Sequence, residues 1–215
     1  MMRPNGLVVV TACGVLLSAV SAAHAAGASG EASDASVGFQ LLVRGVYLQP
    51  TGSTNDFPIH GGGYPDFSAI QPIDLRWSAE LTVGAQTDVG GTQPQGDFGQ
   101  NQRFSFMVHT LTGRYSPYTE GRLWPYVGLG IAYATVHYSY NNTQGAAPRF
   151  DGSSLSAVLQ GGLDWRVTDH FFINADLRFL PNFNVDYTTP YDDPTNHGSL
   201  HVMPVLFGLG IGVQF

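Results

Sequence analysis

The last eleven residues, VLFGLGIGVQF (residues 205–215), decide the fold. Large apolar side chains stand at every second position from Val205 to Phe215, and glycines occupy most of the positions between them. Successive side chains of a β-strand point to opposite faces, so this pattern predicts a strand with one apolar face. The same period of two returns in three other segments, which are residues 77–86, 154–167 and 171–186.

These alternating segments are long for the strands of a soluble protein. They run for between ten and sixteen residues, whereas strands in globular proteins usually have about five or six. A tilted strand needs about 9–11 residues to cross a bilayer. Because every backbone polar group must be paired in lipid, strands of this kind must close into a barrel.

Residues 1–25 have the pattern of a cleaved signal peptide. Arg3 supplies the positive charge, residues 7–20 form an apolar core, and Ala23-His24-Ala25 gives the small-x-small motif before the cleavage point. The core is shorter than the ~20 residues of a membrane-spanning helix. We expect residues 26–36 to be a flexible N-terminal segment and residues 37–215 to form the barrel.

An alternative for the start of the chain is a lipoprotein cleavage box at residues 10–13. It would leave only about six apolar residues before the cleavage point, fewer than the 7–15 of an ordinary signal core. Cys13 is the only cysteine, so cleavage after Ala25 leaves a mature chain that has no disulfide.

Composition argues against nucleic-acid binding, although a soluble β-sandwich shares some of its features. The formal net charge is −7 and all nine basic residues are arginine, so no basic surface is available for a nucleic acid. Charged residues make up 12% of the chain, against about 25% in typical soluble domains. The abundant glycines and aromatic residues suit strands and turns.

The segments between the predicted strands fall into two length classes, as in outer-membrane barrels, where long loops lie outside the cell and short turns face the periplasm. The long ones are residues 51–66, 88–102, 141–153 and 188–198, and the short ones are residues 117–122 and 168–170. Four long loops imply eight antiparallel strands and therefore a third short turn. We place it near Asp74-Leu75-Arg76, after a strand over about residues 64–73 that contains Pro65 and Pro72.

Aromatic residues support this orientation. Trp77, Trp124 and Trp165 each lie beside a predicted periplasmic turn, and amphipathic rings prefer the membrane interface. Phe215 ends the chain on the apolar face of its strand. A terminal aromatic residue of this kind resembles the signal that is read by the barrel assembly machinery of the outer membrane.

From Phe39 to the C-terminus the chain resembles the OmpW family of small eight-stranded outer-membrane barrels. The motifs that carry the resemblance are WPYVGLGIAY (residues 124–133), GLDW (162–165) followed by Thr168-Asp169, SAEL (78–81) and GLGIGVQF (208–215). The region between Tyr64 and Trp77 departs from the family, whose second strand is longer and lacks prolines.

The resemblance implies a location in the outer membrane of a Gram-negative bacterium and contact with its lipids. It also implies a passive route for small hydrophobic molecules, which would enter an apolar lumen from outside and leave sideways through the barrel wall. An eight-stranded barrel holds only side chains or one small ligand, so an open aqueous pore is not expected.

If Phe215 faces lipid, the alternate side chains face the lumen. The candidates for binding an apolar ligand are Leu42, Val46, Leu48, Met107, Leu111, Leu180, Leu200, Val202 and Leu206. A polar plug nearer the periplasm would consist of Arg44, Glu80, Asp164, Arg166, Asp176 and Arg178. A packed interior whose charges only neutralise each other remains the plainer alternative.

Two other functions remain as alternatives. One is a non-transporting surface barrel whose loops act as a receptor or adhesin. The other is a lipid A-modifying enzyme, which would need a His, a Ser and an orienting acid. His137 and Ser139 share a face, but Ile131 lies on that face too and no acidic residue is near in sequence, so we expect no enzyme.

No metal or other cofactor is expected. His197 and His201 are four residues apart at a junction of loop and strand, where no further ligand is evident. The sequence leaves the oligomeric state open and is compatible with a monomer.

Overall fold

The computed structural model describes residues 38–51, 61–85, 87–92, 101–141, 149–181, 183–188 and 197–215. The predicted signal peptide (residues 1–25) and the predicted N-terminal segment (residues 26–36) lie outside the described residues. Within the described ranges, no helix is long and apolar enough to span a bilayer.

The described chain is built from ten β-strands. In chain order they are β1 (Gln40–Thr51), β2 (Gly62–Pro72), β3 (Trp77–Gly84), β4 (Thr87–Thr92), β5 (Asn101–Tyr115), β6 (Leu123–Asn141), β7 (Arg149–Arg166), β8 (Phe171–Phe179), β9 (Phe183–Thr188) and β10 (His197–Gln214). Both β3 and β4 pair with β5, and both β8 and β9 pair with β10. The ten segments therefore act as eight strands of one barrel.

The barrel closes through the first and last strands. β1 and β10 pair antiparallel from Gln40–Gln214 to Thr51–Met203, and every other neighbouring pair is antiparallel as well. This confirms the predicted eight-stranded antiparallel barrel. Closure leaves no free sheet edge between first and last strand, as lipid requires.

The third short turn lies where the sequence predicts it, between β2 and β3. Asp74 Oδ1 accepts hydrogen bonds from the backbone N–H groups of Arg76 and Trp77, each 2.7 Å long. The Ile73 N–H donates to the Trp77 carbonyl at 2.8 Å. Such Asx geometry favours a tight turn, so the two prolines do not displace the first hairpin.

Several strands continue into segments that the sequence predicts to be loops. β2 begins at Gly62, β7 at Arg149 and β10 at His197, each before the predicted end of its loop. The reason is that strand pairing needs only backbone groups, and Arg149 still pairs with Ser139. Apolar alternation is required only within the bilayer, so it marks the membrane span and not the whole strand.

The two faces of the strands differ as the alternation predicts. Leu155, Ile211 and Phe215 lie on the outer face with 70–74% of their surface exposed, while Leu42 and Leu206 on the inner face are buried. The Phe215 backbone N–H donates to the Phe39 carbonyl at 3.0 Å, which holds the end of β10 against the start of β1.

Candidate functional site

The inner face of the barrel is divided into three layers along its axis. Nearest the periplasmic turns, a lower apolar cluster consists of Leu42, Ile70 and Phe172. An ionic layer above it contains Arg44, Asp66, Glu80, Arg114, Asp164, Asp176 and Arg178, all buried. An upper apolar cluster follows, made of Val46, Leu48, Tyr64, Phe106, Val108, Ala132, Ala134, Val136, Val158, Leu180, Phe183 and Leu206.

Arg44 on β1 is the hub of the ionic layer. Its Nε donates to Asp66 Oδ1 at 2.9 Å and its Nη2 donates to Glu80 Oε1 at 2.7 Å. The same Nη2 lies 2.5 Å from Ser68 Oγ, and Nη1 lies 3.6 Å from Asp176 Oδ2. One guanidinium therefore joins carboxylates from β2, β3 and β8.

Two further arginines complete the layer. Arg178 donates through Nε to Asp176 Oδ2 and through Nη2 to Asp66 Oδ2, both at 2.7 Å. Arg114 donates through Nη2 to Asp164 Oδ2 at 2.5 Å and through Nη1 to Glu80 Oε2 at 3.3 Å. All four carboxylates of the layer thus have an arginine partner, which offsets the large cost of burying charge.

Neutral side chains add further hydrogen bonds to the ionic layer, although the buried Nε of Arg114 has no partner. The Gln160 side-chain amide donates to Glu80 and to Asp176, both at 3.1 Å, and its oxygen accepts from Thr112 at 2.9 Å. The Asn174 amide donates to Asp164 at 2.6 Å and to the Tyr126 hydroxyl at 3.0 Å. The layer is a continuous network across the lumen, so it obstructs the axial path.

Glycines on the inner face of β10 make room for this network. A Cβ at Gly208 would lie 2.1 Å from Asp176 Oδ1, and one at Gly212 would lie 2.2 Å from the Phe172 ring. Side chains from β8 therefore occupy the volume that β10 leaves empty. In the C-terminal strand the apolar residues therefore face the membrane, and the glycines between them leave room for the side chains of β8.

The upper apolar cluster fills the lumen above the ionic layer. The rings of Phe106 on β5 and Phe183 on β9 lie 6.4 Å apart between centroids, at an interplanar angle of 47°. They lie in the same cluster as the small residues Ala132 and Ala134 of β6. Every member of the cluster is at most 5% exposed, so this part of the lumen is closed by side chains.

The structure places most of the predicted inward residues on the inner face. Among the ligand candidates these are Leu42, Val46, Leu48, Leu180 and Leu206. Leu42 belongs to the lower cluster, and the other four belong to the upper one. Leu200 and Val202 lie in β10 opposite Val185 and Phe183 of β9, but their side chains fall outside the described residues.

The predicted inward placement of Met107 and Leu111 is wrong. Leu111 is 51% exposed and pairs with Leu81 and Ile131, which also lie on the outer face; Met107 has the same parity and is partly exposed. The inner face of β5 is instead formed by Phe106, Val108, Thr110, Thr112 and Arg114. Thr112 bonds to Gln160 inside the barrel, and Arg114 bonds there to Glu80 and Asp164, so these partners determine which face of β5 points inward.

Five of the six predicted plug residues lie in the ionic layer, and Arg166 does not. Its guanidinium lies over the Trp124 ring, 3.4 Å from the ring centroid, and the residue is partly exposed. Its place is the periplasmic rim, where a cation on an aromatic face remains hydrated. Asp66 and Arg114 are members that the sequence analysis missed.

The outer wall has a groove of about 590 Å³ on its membrane-facing side. It lies over Gly45 and Gly63, whose missing side chains leave the depression, and its flanks include Tyr47, Pro65 and Phe207. Its lining also includes Val46 and Tyr64, which belong to the upper apolar cluster.

The structure gives little support to the enzymatic site at His137 and Ser139 or to a metal site at His197 and His201. His137 is exposed on the outer face, and the side chains of Ser139, His197 and His201 are outside the described residues. Among the side chains that are described, no group of three or more His, Cys, Asp or Glu residues could hold a metal ion.

A closed eight-stranded barrel with an apolar outer belt, short turns at one end and a charged interior is the architecture of small outer-membrane proteins. The sequence model of the OmpW family matches residues 71–215. The chain belongs to the OmpW family. It is 27% identical over 188 residues to the outer-membrane protein y4mB of Sinorhizobium fredii (strain NBRC 101917 / NGR234), covering 82% of this chain and 80% of y4mB.

Solved structures share the fold. The crystal structure of OprG from Pseudomonas aeruginosa matches with a TM-score of 0.60 at 16% identity, covering 83% of this chain and 96% of OprG. The solid-state NMR structure of AlkL in lipid bilayers matches with a TM-score of 0.57 at 20% identity, covering 87% of this chain and 94% of AlkL. The chain is accordingly an outer-membrane barrel of the OmpW family.

Proposed function

We propose that this OmpW-family barrel is a passive route by which small hydrophobic molecules cross the outer membrane, entering from the outside and leaving sideways into the bilayer. The observation that carries the proposal is the order of the inner layers, with the ionic layer placed directly beneath the upper apolar cluster. An apolar molecule that reaches the upper cluster meets side chains of its own polarity.

The ionic layer makes an axial exit unfavourable. A solute on that path would have to separate ion pairs such as Arg44–Glu80 and Arg178–Asp66, whose side chains are almost fully buried. Separating a buried pair leaves an uncompensated charge, which costs about 3–5 kcal/mol. The hydrocarbon outside the wall accepts apolar surface at a gain of ~25 cal/mol per Å², so the sideways path is favoured.

Membership of the OmpW family supports the same proposal, because that family is understood to carry small hydrophobic molecules passively. The interior is also consistent with a protein that does no covalent chemistry. The charged groups of the ionic layer are held by each other, and the buried Ser156 hydroxyl donates to the carbonyls of Ala157 and Pro181.

Uptake of toluene by intact cells tests the proposal. Cells that express the protein should accumulate toluene faster than isogenic cells that lack it. Leu206→Trp, which adds a ring to the upper apolar cluster, should remove most of the difference. Leu209→Trp is the matched control, because Leu209 is on the same strand with 65% of its surface exposed on the outer face.

Equal uptake with and without the barrel would overturn the transport function. If loss of the gene then reduced binding of the cells to a surface or to a partner, the receptor or adhesin alternative would take its place. The amount of each variant in the outer membrane is measured by its heat-dependent mobility on gels.

A further inference from the structure

We propose that the barrel wall opens between β7 and β9. While the barrel is closed, the Phe183 side chain fills the site that the apolar solute occupies during transport. The inference rests on the proposed function and adds to it the place of the exit and the residue that must move. It is carried by the pairing of β9, by the junction that joins β9 to β8, and by the surroundings of Phe183.

The strand ladder between β7 and β8 stops in the middle of the barrel. It runs from Arg166–Phe172 up to Leu159–Phe179, although β7 continues for ten more residues, 149–158. The strand β9 beside this part of β7 pairs with β10, from Val202–Phe183 to His197–Thr188. Within the described residues no ladder joins β9 to β7. This boundary between β7 and β9 is called the seam, and it is held by other contacts.

The pairing of β8 and β9 with β10 is out of step by one residue at their junction. Phe179 pairs with Val205 and Phe183 pairs with Val202, so four steps along this edge match three steps along β10. One extra residue of this kind is a β-bulge, which bends a strand and interrupts its pairing. Pro181 lies within the junction and has no N–H group to donate to a ladder. The Leu180 N–H holds the lower end by donating to the Pro204 carbonyl at 3.1 Å.

A side-chain hydrogen bond crosses the seam between β7 and the β8–β9 junction. The Ser156 hydroxyl of β7 donates to the Pro181 carbonyl. A bond of this kind forms and breaks without disturbing any ladder, so it can act as a latch between β7 and the segment that bears Phe183.

Phe183 is the first residue of β9 and points into the lumen. It is 2% exposed, and its neighbour across the bulge, Leu180, is completely buried. Its ring lies 6.4 Å from that of Phe106, which comes from β5 on the other side of the lumen. The small side chains of Ala132 and Ala134 leave volume in this cluster that the two rings fill.

If the Phe183 ring withdrew, a neutral hydrocarbon of about the size of a benzyl group could take its place and would contact the same apolar side chains of the upper apolar cluster. Movement of β9 about the bulge withdraws that ring and widens the seam to β7 in one step. The solute class is therefore a small aromatic or branched hydrocarbon, and the exit lies at the β7–β9 seam.

Binding of toluene to the purified full-length protein in lipid nanodiscs is the first test. Phe183→Ala leaves an apolar cavity, and cavities of this type stay dry and bind benzene-like molecules. Saturation-transfer NMR should detect toluene bound to Phe183→Ala at least ten times more strongly than to Phe171→Ala, which shortens an outward-facing ring of β8. Equal binding by the two variants would overturn the place assigned to the solute.

A reversible lock across the seam is the second test. Ser156→Cys with Pro181→Cys puts a thiol on each of the two residues that the hydrogen bond now joins across the seam, and the mature chain is expected to have no other cysteine. Oxidation should lower toluene uptake by cells at least tenfold, and a reductant should restore it. The pair Ile131→Cys with Ala157→Cys is the control, because these residues already face each other in the β6–β7 ladder and a bridge there holds nothing new.

The two proposals fail in different ways. If wild-type cells take up toluene and the oxidised Ser156→Cys, Pro181→Cys protein transports it equally well, the seam is not the exit and the transport function stands. If wild-type cells show no uptake beyond cells that lack the barrel, the transport function and the seam fall together.

Discussion

Gly210 lies opposite Arg44 in the β1–β10 ladder, and the aliphatic part of the Arg44 side chain fills the space that a side chain at Gly210 would need. A Cβ at Gly210 would lie 2.5 Å from Arg44 Cγ and 2.2 Å from the Val43 carbonyl oxygen. The hub of the ionic layer therefore depends on the absence of a side chain in the neighbouring strand.

Gly210→Ala should destabilise the barrel by about 1–3 kcal/mol, as overpacking of a filled core does. The clash includes a backbone oxygen, so rotation of a flexible side chain cannot relieve it. The measurement is the free energy of unfolding in urea for protein refolded into lipid vesicles, followed by tryptophan fluorescence. Gly45→Ala is the control, because its Cβ would meet nothing closer than 4.0 Å; an equal loss in both variants would show that the clash with β1 does not set the stability.

Glu80→Ala should cost about 3–5 kcal/mol of unfolding free energy, the range for removing one partner of a buried ion pair. Glu80 accepts from both Arg44 and Arg114 and is completely buried, so its loss leaves two guanidinium groups short of negative charge. Glu120→Ala, at an exposed turn position, should leave stability within about 0.5 kcal/mol. A loss below about 1 kcal/mol for Glu80→Ala would show that the layer is hydrated and not closed.

Asp74 should titrate below the ordinary pKa of an aspartate, because the backbone N–H groups of Arg76 and Trp77 donate to its carboxylate and lower its pKa. A pKa that is lower in the folded state than in the unfolded state stabilises the fold at pH values above the unfolded pKa. That contribution is lost as the pH falls through the folded pKa. Carbon-detected NMR of the Asp74 carboxyl measures the midpoint, and a midpoint at or above about 3.9 would contradict the turn geometry.

Phe215→Ala should lower the amount of protein assembled in the outer membrane of cells by several-fold, while leaving refolding into vesicles almost unchanged. The reason is that Phe215 is 74% exposed, so its ring adds little packing and is free to be recognised by the barrel assembly machinery. Phe171→Ala is the comparison, since Phe171 is 58% exposed and pairs with Val213 near the same rim. Equal assembly of both variants would remove the proposed role of the terminal ring.

The prediction of which β5 residues face the lumen and which face lipid was wrong. The inner and outer faces of β5 both carry apolar residues, so Met107 and Leu111 give no unique parity. Arg114 could have decided it, because an arginine on the lipid face costs about 2–4 kcal/mol at the bilayer midplane. Placing Arg114 inside also brings Thr110 and Thr112 inside, as the structure shows.

The sequence by itself determined the class of the protein and the membrane-facing side of β3, β7 and β10. Alternation over residues 154–167 and 205–215 fixed a barrel of long strands, and the parity of loops and turns fixed their number and the turn at Asp74. These features are local, because the side-chain period of a strand and the chemistry of a turn need only near neighbours. The alternation over residues 171–186 is interrupted after Phe179, so Phe183 lies on the inner face and not on the outer face that the alternation predicts.

The tertiary structure alone decided how the interior is arranged. The contacts of Arg44 with Asp66, Glu80 and Asp176 join strands that are 22 to 132 residues apart in the chain. The bulge between β8 and β9 appears only when both are set against β10. Register across a closed barrel depends on all of its strands at once, so the partners of a buried charge and the weak seam of the wall emerge only when the ring is complete.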